Sequence, residues 1–128
     1  MKITLVSVFV KDPIEAHHFY TEILGFRTQR FMPEYNLAIV VSPEQPEGTA
    51  LLLEPNDNPI ASACQQALYA QGLPAIAFGV ADIQQEFTRL KQLGVVFRQE
   101  PARQEWGGYT ALFEDTCGNL IQLAQQVE

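Results

Sequence analysis

Two cysteines in 128 residues, Cys64 and Cys117, are too few for a disulfide framework, and they lack the CxxC spacing of a zinc or redox site. Both read as reduced structural thiols. Basic residues are also scarce. Eight lysines and arginines against fifteen acidic residues leave a formal charge of −7 and a pI near 4.7. Phosphate backbones and anionic lipid require clustered basic side chains, so no nucleic acid and no membrane surface is expected as a partner. A neutral or cationic small organic molecule fits this charge. No apolar run approaches the roughly 20 residues that span a bilayer. The opening MKITLVSVFVKDP also lacks the long apolar core and cleavage site of a secretory signal, so the expected location is cytoplasmic. There is no GxSxG elbow, phosphate-cradling glycine loop or Cys–His nucleophile pair, and the glycines after Trp106 suit a turn.

The composition is 47% hydrophobic and 18% charged, and 128 residues form one ordinary domain with enough core to be stable. In LVSVFVKDPIEAHHFYTEILGFRTQ, apolar residues alternate at Val6, Val8 and Val10, and the period changes at Asp12. This predicts a strand running into a helix. Asp12 suits the cap, Pro13 the first helical position and Glu15 the reciprocal place of a capping box. Ala16, Phe19, Tyr20, Ile23 and Leu24 make the buried stripe, and Gly25 ends it. AIAFGVADIQQEFTRLKQLGVVFRQ repeats the pattern with Ile76, Phe78 and Val80 alternating, Asp82 capping, Gln85 completing the box and Gly94 closing. Its stripe is Ile83, Phe87, Leu90 and Leu93. Asp12 and Asp82 are 70 residues apart and Gly25 and Gly94 are 69 apart, which marks an internal repeat.

Strand candidates follow each helix: FRTQRFM, NLAIVVS and TALLLEP, then VVFRQEP, GYTALFE and NLIQLAQ. The expected fold is α+β, with tandem βαβββ units in a single domain. Unit 1 covers about 1–56, a linker with one short helix about 57–73, and unit 2 about 74–126.

VKDPIEAHHFYTEILGF, AFGVADIQQEFTRLKQLGVVF and WGGYTALFEDTCGN together resemble the vicinal oxygen chelate superfamily of glyoxalases, bleomycin resistance proteins and extradiol dioxygenases. The resemblance implies a curved, U-shaped mixed sheet with helices on its outer face, and an assembly of two chains, a homodimer. It also implies a divalent metal held by His, Gln or Glu from the first and last strands of each unit. Carried onto this chain, those positions fall at Leu5, Leu53, Ala75 and Gln122, of which only Gln122 is polar. A one-residue slip would present Glu54 in place of Leu53. Catalytic metal centres usually present about three protein ligands, so no metal and no other cofactor is expected.

The histidines, His17 and His18, are adjacent in a helix, so their side chains point about 100° apart and suit a helix flank. The expected ligand-binding residues are Leu5, Ser7, Phe9, Leu53, Ala75, Ala77, Trp106, Tyr109 and Gln122, with Ala111 on the same face. Trp106 and Tyr109 offer flat surfaces for an apolar or cationic ligand. Three functions remain open at this point. One is a metal-free binding protein that sequesters such a compound. Another is a metal-independent enzyme using Gln122, Tyr109 or Glu54, and the third is a partner-binding domain. No catalytic residue is assigned.

Overall fold

The computed structural model describes residues 1–126. It contains two compact units, Met1–Gln65 and the chain from Gln66 onward. Each unit has a four-stranded mixed sheet, and the class is α+β.

In unit 1, strands β1 (Leu5–Val10), β2 (Arg27–Met32), β3 (Leu37–Val41) and β4 (Ala50–Pro55) lie in the order β1-β4-β3-β2. The β1–β4 pair is parallel and the other two are antiparallel. Helix α1 (Pro13–His18) starts where Asp12 accepts a hydrogen bond from the Ile14 N–H at 2.9 Å, with Pro13 in its first turn. It continues as a π-helical turn over Phe19–Ile23, where the Thr21 hydroxyl donates to the His17 carbonyl and competes with the regular ladder. This winding turns Phe19 and Tyr20 into the core together, and Gly25 then reverses the chain at φ +92°. Helix α1 packs on β3 and β4, so the core of unit 1 lies between them, with Val8, Val10, Ala38, Val40 and Leu53 on the sheet side.

Helix α2 (Pro59–Ala70) is the helix expected between the repeats, with Gly72 beyond its end at φ +74°. Asn58 caps it by accepting from the Ile60 N–H at 2.8 Å. Its buried Gln65 donates to the Phe9 carbonyl at 2.8 Å and accepts from Asn56 at 2.7 Å, so this end of the helix is tied to the end of β1.

Unit 2 repeats the plan with β5 (Ile76–Gly79), α3 (Ile83–Gln92), β6 (Phe97–Arg103), β7 (Tyr109–Glu114) and β8 (Leu120–Gln125), in the order β5-β8-β7-β6. Asp82 caps α3 by accepting from the Gln85 N–H at 3.1 Å, and Gly94 closes it at φ +91°. Ile83, Phe87 and Leu90 are buried as expected. Leu93 is 49% exposed, because it is the capping residue where the chain turns off the helix axis toward Gly94. The strand expected from Val95 begins at Phe97 and runs to Arg103, with register shifts around Gln99. Pro101 lies in this shifted segment of an edge strand, where its missing N–H is tolerated. No helix among the described residues is long and apolar enough to cross a membrane.

Candidate functional site

Neighbouring residues in paired strands place their side chains on the same face of a sheet. In unit 1, Val8 stands beside Leu53 and Val6 beside Leu51, which fixes the face packed on α1. Ser7 stands beside Leu52, and Phe9 beside Glu54, on the opposite or distal face, which Leu5 shares. Leu53, expected on that distal face, belongs instead to the helix side and is 0% exposed. Glu54 takes the distal place. The run Leu51–Leu52–Leu53 explains the error, since consecutive leucines carry no alternation from which to read the phase of the pleat.

The same counting applies to unit 2. Ile76 and Phe78 stand beside Ile121 and Leu123 on the α3 side, whereas Ala77 stands beside Gln122 on the distal face. Ala75 precedes β5 in the same phase as Ala77, and its N–H donates to the Leu120 carbonyl at 2.9 Å. Across β7–β8, Ala111 and Phe113 stand beside Leu123 and Ile121, both buried on the helix side, and Tyr109 shares their phase. Tyr109 and Ala111 are therefore corrected to the helix-side face. Leu112, beside Gln122, and Thr110, beside Ala124, occupy the distal positions on β7. The pairing of Glu114 with Leu120 sets this phase, and it follows from the turn that joins the strands.

That turn is tightly built. Asp115, 0% exposed, accepts through Oδ1 from the N–H groups of Cys117 at 2.7 Å and Asn119 at 2.9 Å, and through Oδ2 from the Asn119 side chain at 2.9 Å. Thr116 and Gly118 adopt φ +62° and +105° to close it. The EDTCGN segment thus holds the register that presents Gln122, a role that the sequence reading did not assign.

Trp106 lies in the β6–β7 turn, 55% exposed, with its ring over Gly108. A Cβ at Gly108 would stand 1.8 Å from Trp106 Cζ3 and 2.7 Å from the Gln125 carbonyl oxygen, so only glycine admits this approach. Gln104 braces the turn by donating from its side chain to Thr110 at 2.8 Å and from its N–H to the Gly108 carbonyl at 2.7 Å.

A charged cluster on unit 2 also escaped the sequence reading. Tyr69, near the end of α2, donates to Glu114 at 2.6 Å. Arg98 donates to the other oxygen of Glu114 at 2.8 Å and to the Tyr69 hydroxyl at 2.8 Å. The hydrogen bond from Tyr69, with that from Arg98, holds the Glu114 carboxyl below its ordinary pKa. The same bond raises the Tyr69 hydroxyl. Residues 69, 98 and 114 come from separate segments, so sequence spacing offered no signal.

His17 belongs to the helix side. Its ring stacks on Phe31 at 3.9 Å, and Nε2 lies 2.7 Å from the Thr28 hydroxyl. Burial lowers its pKa, with the charge on Glu22 acting the other way and that on His18 adding to the fall. His18 is exposed. Leu5 and Ala75 have no donor atoms in their side chains, Cys117 is buried in the Asp115 turn and Cys64 is exposed on α2. Among the described residues, no group of three or more His, Cys, Asp or Glu side chains is placed to hold a metal ion.

The sequence model of the glyoxalase/bleomycin resistance protein/dioxygenase superfamily matches residues 2–123. The chain belongs to this superfamily. It is 49% identical to the uncharacterized protein YurT of Bacillus subtilis (strain 168), over 98% of this chain and 100% of that protein. Among solved structures, UcmS2 is 29% identical with a TM-score of 0.80, and 97% of each chain is covered. TnmS3, an antibiotic binding protein from Streptomyces sp. CB03234, is 25% identical with a TM-score of 0.74, covering 99% of this chain and 97% of that one. Superfamily membership accounts for the paired βαβββ units, and the fold alone does not assign a chemistry.

Proposed function

We propose that this superfamily member is a metal-free binding protein that sequesters an apolar or cationic small molecule and acts as a cytoplasmic homodimer. The observation that carries the reading is the make-up of the distal faces. Leu5 and Ala75 occupy expected ligand positions, Leu52 stands beside Ser7, and isolated polar groups, Glu54 and Gln122, interrupt apolar surface. Mostly apolar linings with a few polar handles suit small-molecule recognition. Trp106 adds a flat, half-exposed aromatic surface. The antibiotic-binding relative TnmS3 supports the same class of activity.

A thermal-shift screen of small organic compounds tests the binding claim, since a ligand that binds only the folded state raises Tm by mass action. Apolar or cationic compounds should stabilise the protein, and a screen in which none does would count decisively against it. Elemental analysis of the purified protein should find well under one equivalent of zinc, iron, manganese or nickel; stoichiometric metal would overturn the metal-free claim. Light scattering should return about twice the 14.3 kDa chain mass. The Glu54 carboxylate, which has no partner among the described residues, and the Gln122 amide favour a second reading, a metal-independent enzyme of the same superfamily, which turnover of a stabilising ligand would establish.

A further inference from the structure

Five acidic side chains among the described residues are buried or half-buried: Asp12, Glu54, Glu86, Glu114 and Asp115. Four have structural partners. Asp12 caps α1, Glu86 pairs with Arg89, Glu114 is held by Tyr69 and Arg98, and Asp115 organises the β7–β8 turn. Glu54 is the exception, with no hydrogen bond or ion pair to any described residue.

Its surroundings make the exception informative. Glu54 stands beside Phe9 on the distal face of unit 1, two residues along β4 from Leu52, with Ile39 beside Leu52 on β3. Phe9, Leu52 and Ile39 are all half-buried. The nearby amides are committed elsewhere, Asn56 to Gln65 and Gln65 to the Phe9 carbonyl. A carboxylate partly withdrawn from water against apolar side chains loses hydration, and here nothing in unit 1 offsets that loss. Its position is also distinct from the metal-ligand positions of the superfamily. Ser7 beside Leu52 is the unit 1 equivalent of Ala77 beside Gln122, which makes Glu54 the counterpart of Ala124.

We propose that Glu54 is the charge-reading group of the binding site. The ligand is then an organic cation, a protonated amine joined to an apolar body, with its charge on Glu54 and its body against Phe9 and Leu52. A charge-assisted contact on a partly desolvated surface is stronger than one in open water, and a chain of net charge −7 favours the approach of a cation. The inference rests on the binding-protein reading and narrows it to one ligand class.

Two planar probes of similar shape separate the claims: 9-aminoacridine, a cation at neutral pH, and acridine, which is neutral there. Fluorescence titration should show the parent protein preferring the cation. In Glu54→Gln, the affinity for 9-aminoacridine should fall about tenfold, as expected for loss of a charge-assisted hydrogen bond, with acridine changed by less than about twofold. Glu54→Asp, which keeps the charge, should keep the preference. Glu47→Gln, in the exposed β3–β4 loop, should leave both affinities unchanged, which separates a local contact from the effect of net charge. Increasing salt should weaken only the cation in the parent, a test that needs no substitution. Equal binding of both probes, or an equal loss in Glu54→Gln and Glu47→Gln, overturns the assignment of Glu54 while leaving the binding reading in place. Binding of neither probe counts against both.

Discussion

The two units share a frame and differ in what they mount on it. Asp12 and Asp82 cap equivalent helices, Gly25 and Gly94 end them at φ +92° and +91°, and the parallel first and last strands keep the same relative register. The distal faces have diverged. Unit 1 presents Leu5, Phe9, Leu52 and Glu54, while unit 2 presents Ala75, Ala77 and Gln122 and carries the Arg98–Glu114–Tyr69 cluster. The connections between the last two strands differ as well: an exposed proline-containing loop in unit 1 and the buried Asp115 turn in unit 2. The comparison indicates that positions packing sheet on helix hold the fold, while the distal positions are free to differ between the units.

The largest test of this contrast lies in the two turns. Asp115→Ala removes an acceptor from three donors in a buried turn and should cost about 3 kcal/mol in denaturant unfolding. Glu47→Ala, in the corresponding loop of unit 1, should stay within about 0.5 kcal/mol. Similar losses would mean that the turns contribute alike. Gly108→Ala should be next in size, at about 1–2 kcal/mol, because its Cβ meets both the Trp106 ring and the Gln125 carbonyl. Trp106 is the sole tryptophan, so its emission should shift in this variant; an unchanged spectrum and midpoint would show that the ring moves aside freely. The helix caps should then reveal the shared frame, with Asp12→Ala and Asp82→Ala each losing about 1 kcal/mol. A negligible effect in one unit alone would break the equivalence of the two helices.

Most of the frame was legible because it depends on local signals. The Asp–Pro and Asp–Ile helix starts, the glycine stops and the 70-residue repeat all lie within short windows, and the strands emerged within a few residues of their expected ends. Facing was harder to read. Val6, Val8 and Val10 revealed the phase of β1, but the Leu51–Leu53 run concealed that of β4, which put Leu53 on the wrong face and left the facing of Glu54 open. Tyr109 was misplaced because the phase of β7 is set by where the Asp115 turn releases the chain, which strand composition does not encode. The Tyr69–Arg98–Glu114 cluster joins α2, β6 and β7, and contacts between distant segments leave no periodic trace.

That cluster gives the smallest effect and the one most specific to unit 2. The hydrogen bonds from Tyr69 and Arg98 hold the Glu114 carboxyl below its ordinary value of 4.5, so the folded state favours its ionised form more than the unfolded chain does. The resulting stabilisation is fully present above that ordinary value and is lost as pH falls through the lower folded value. Tyr69 responds at the opposite end of the scale. Its hydroxyl is raised above 10.0 chiefly by donating to Glu114, so its contribution persists through neutral pH and is lost only as pH rises through the raised value. Glu114→Gln should therefore be less stable than the parent near neutral pH by under about 1 kcal/mol, because Arg98 is half-exposed and water screens the pair. The two stability curves should converge in acid, below the ordinary carboxylate range. Urea midpoints measured across that range decide the matter, since a constant gap would mean that Glu114 acts through packing, with no contribution from its charge.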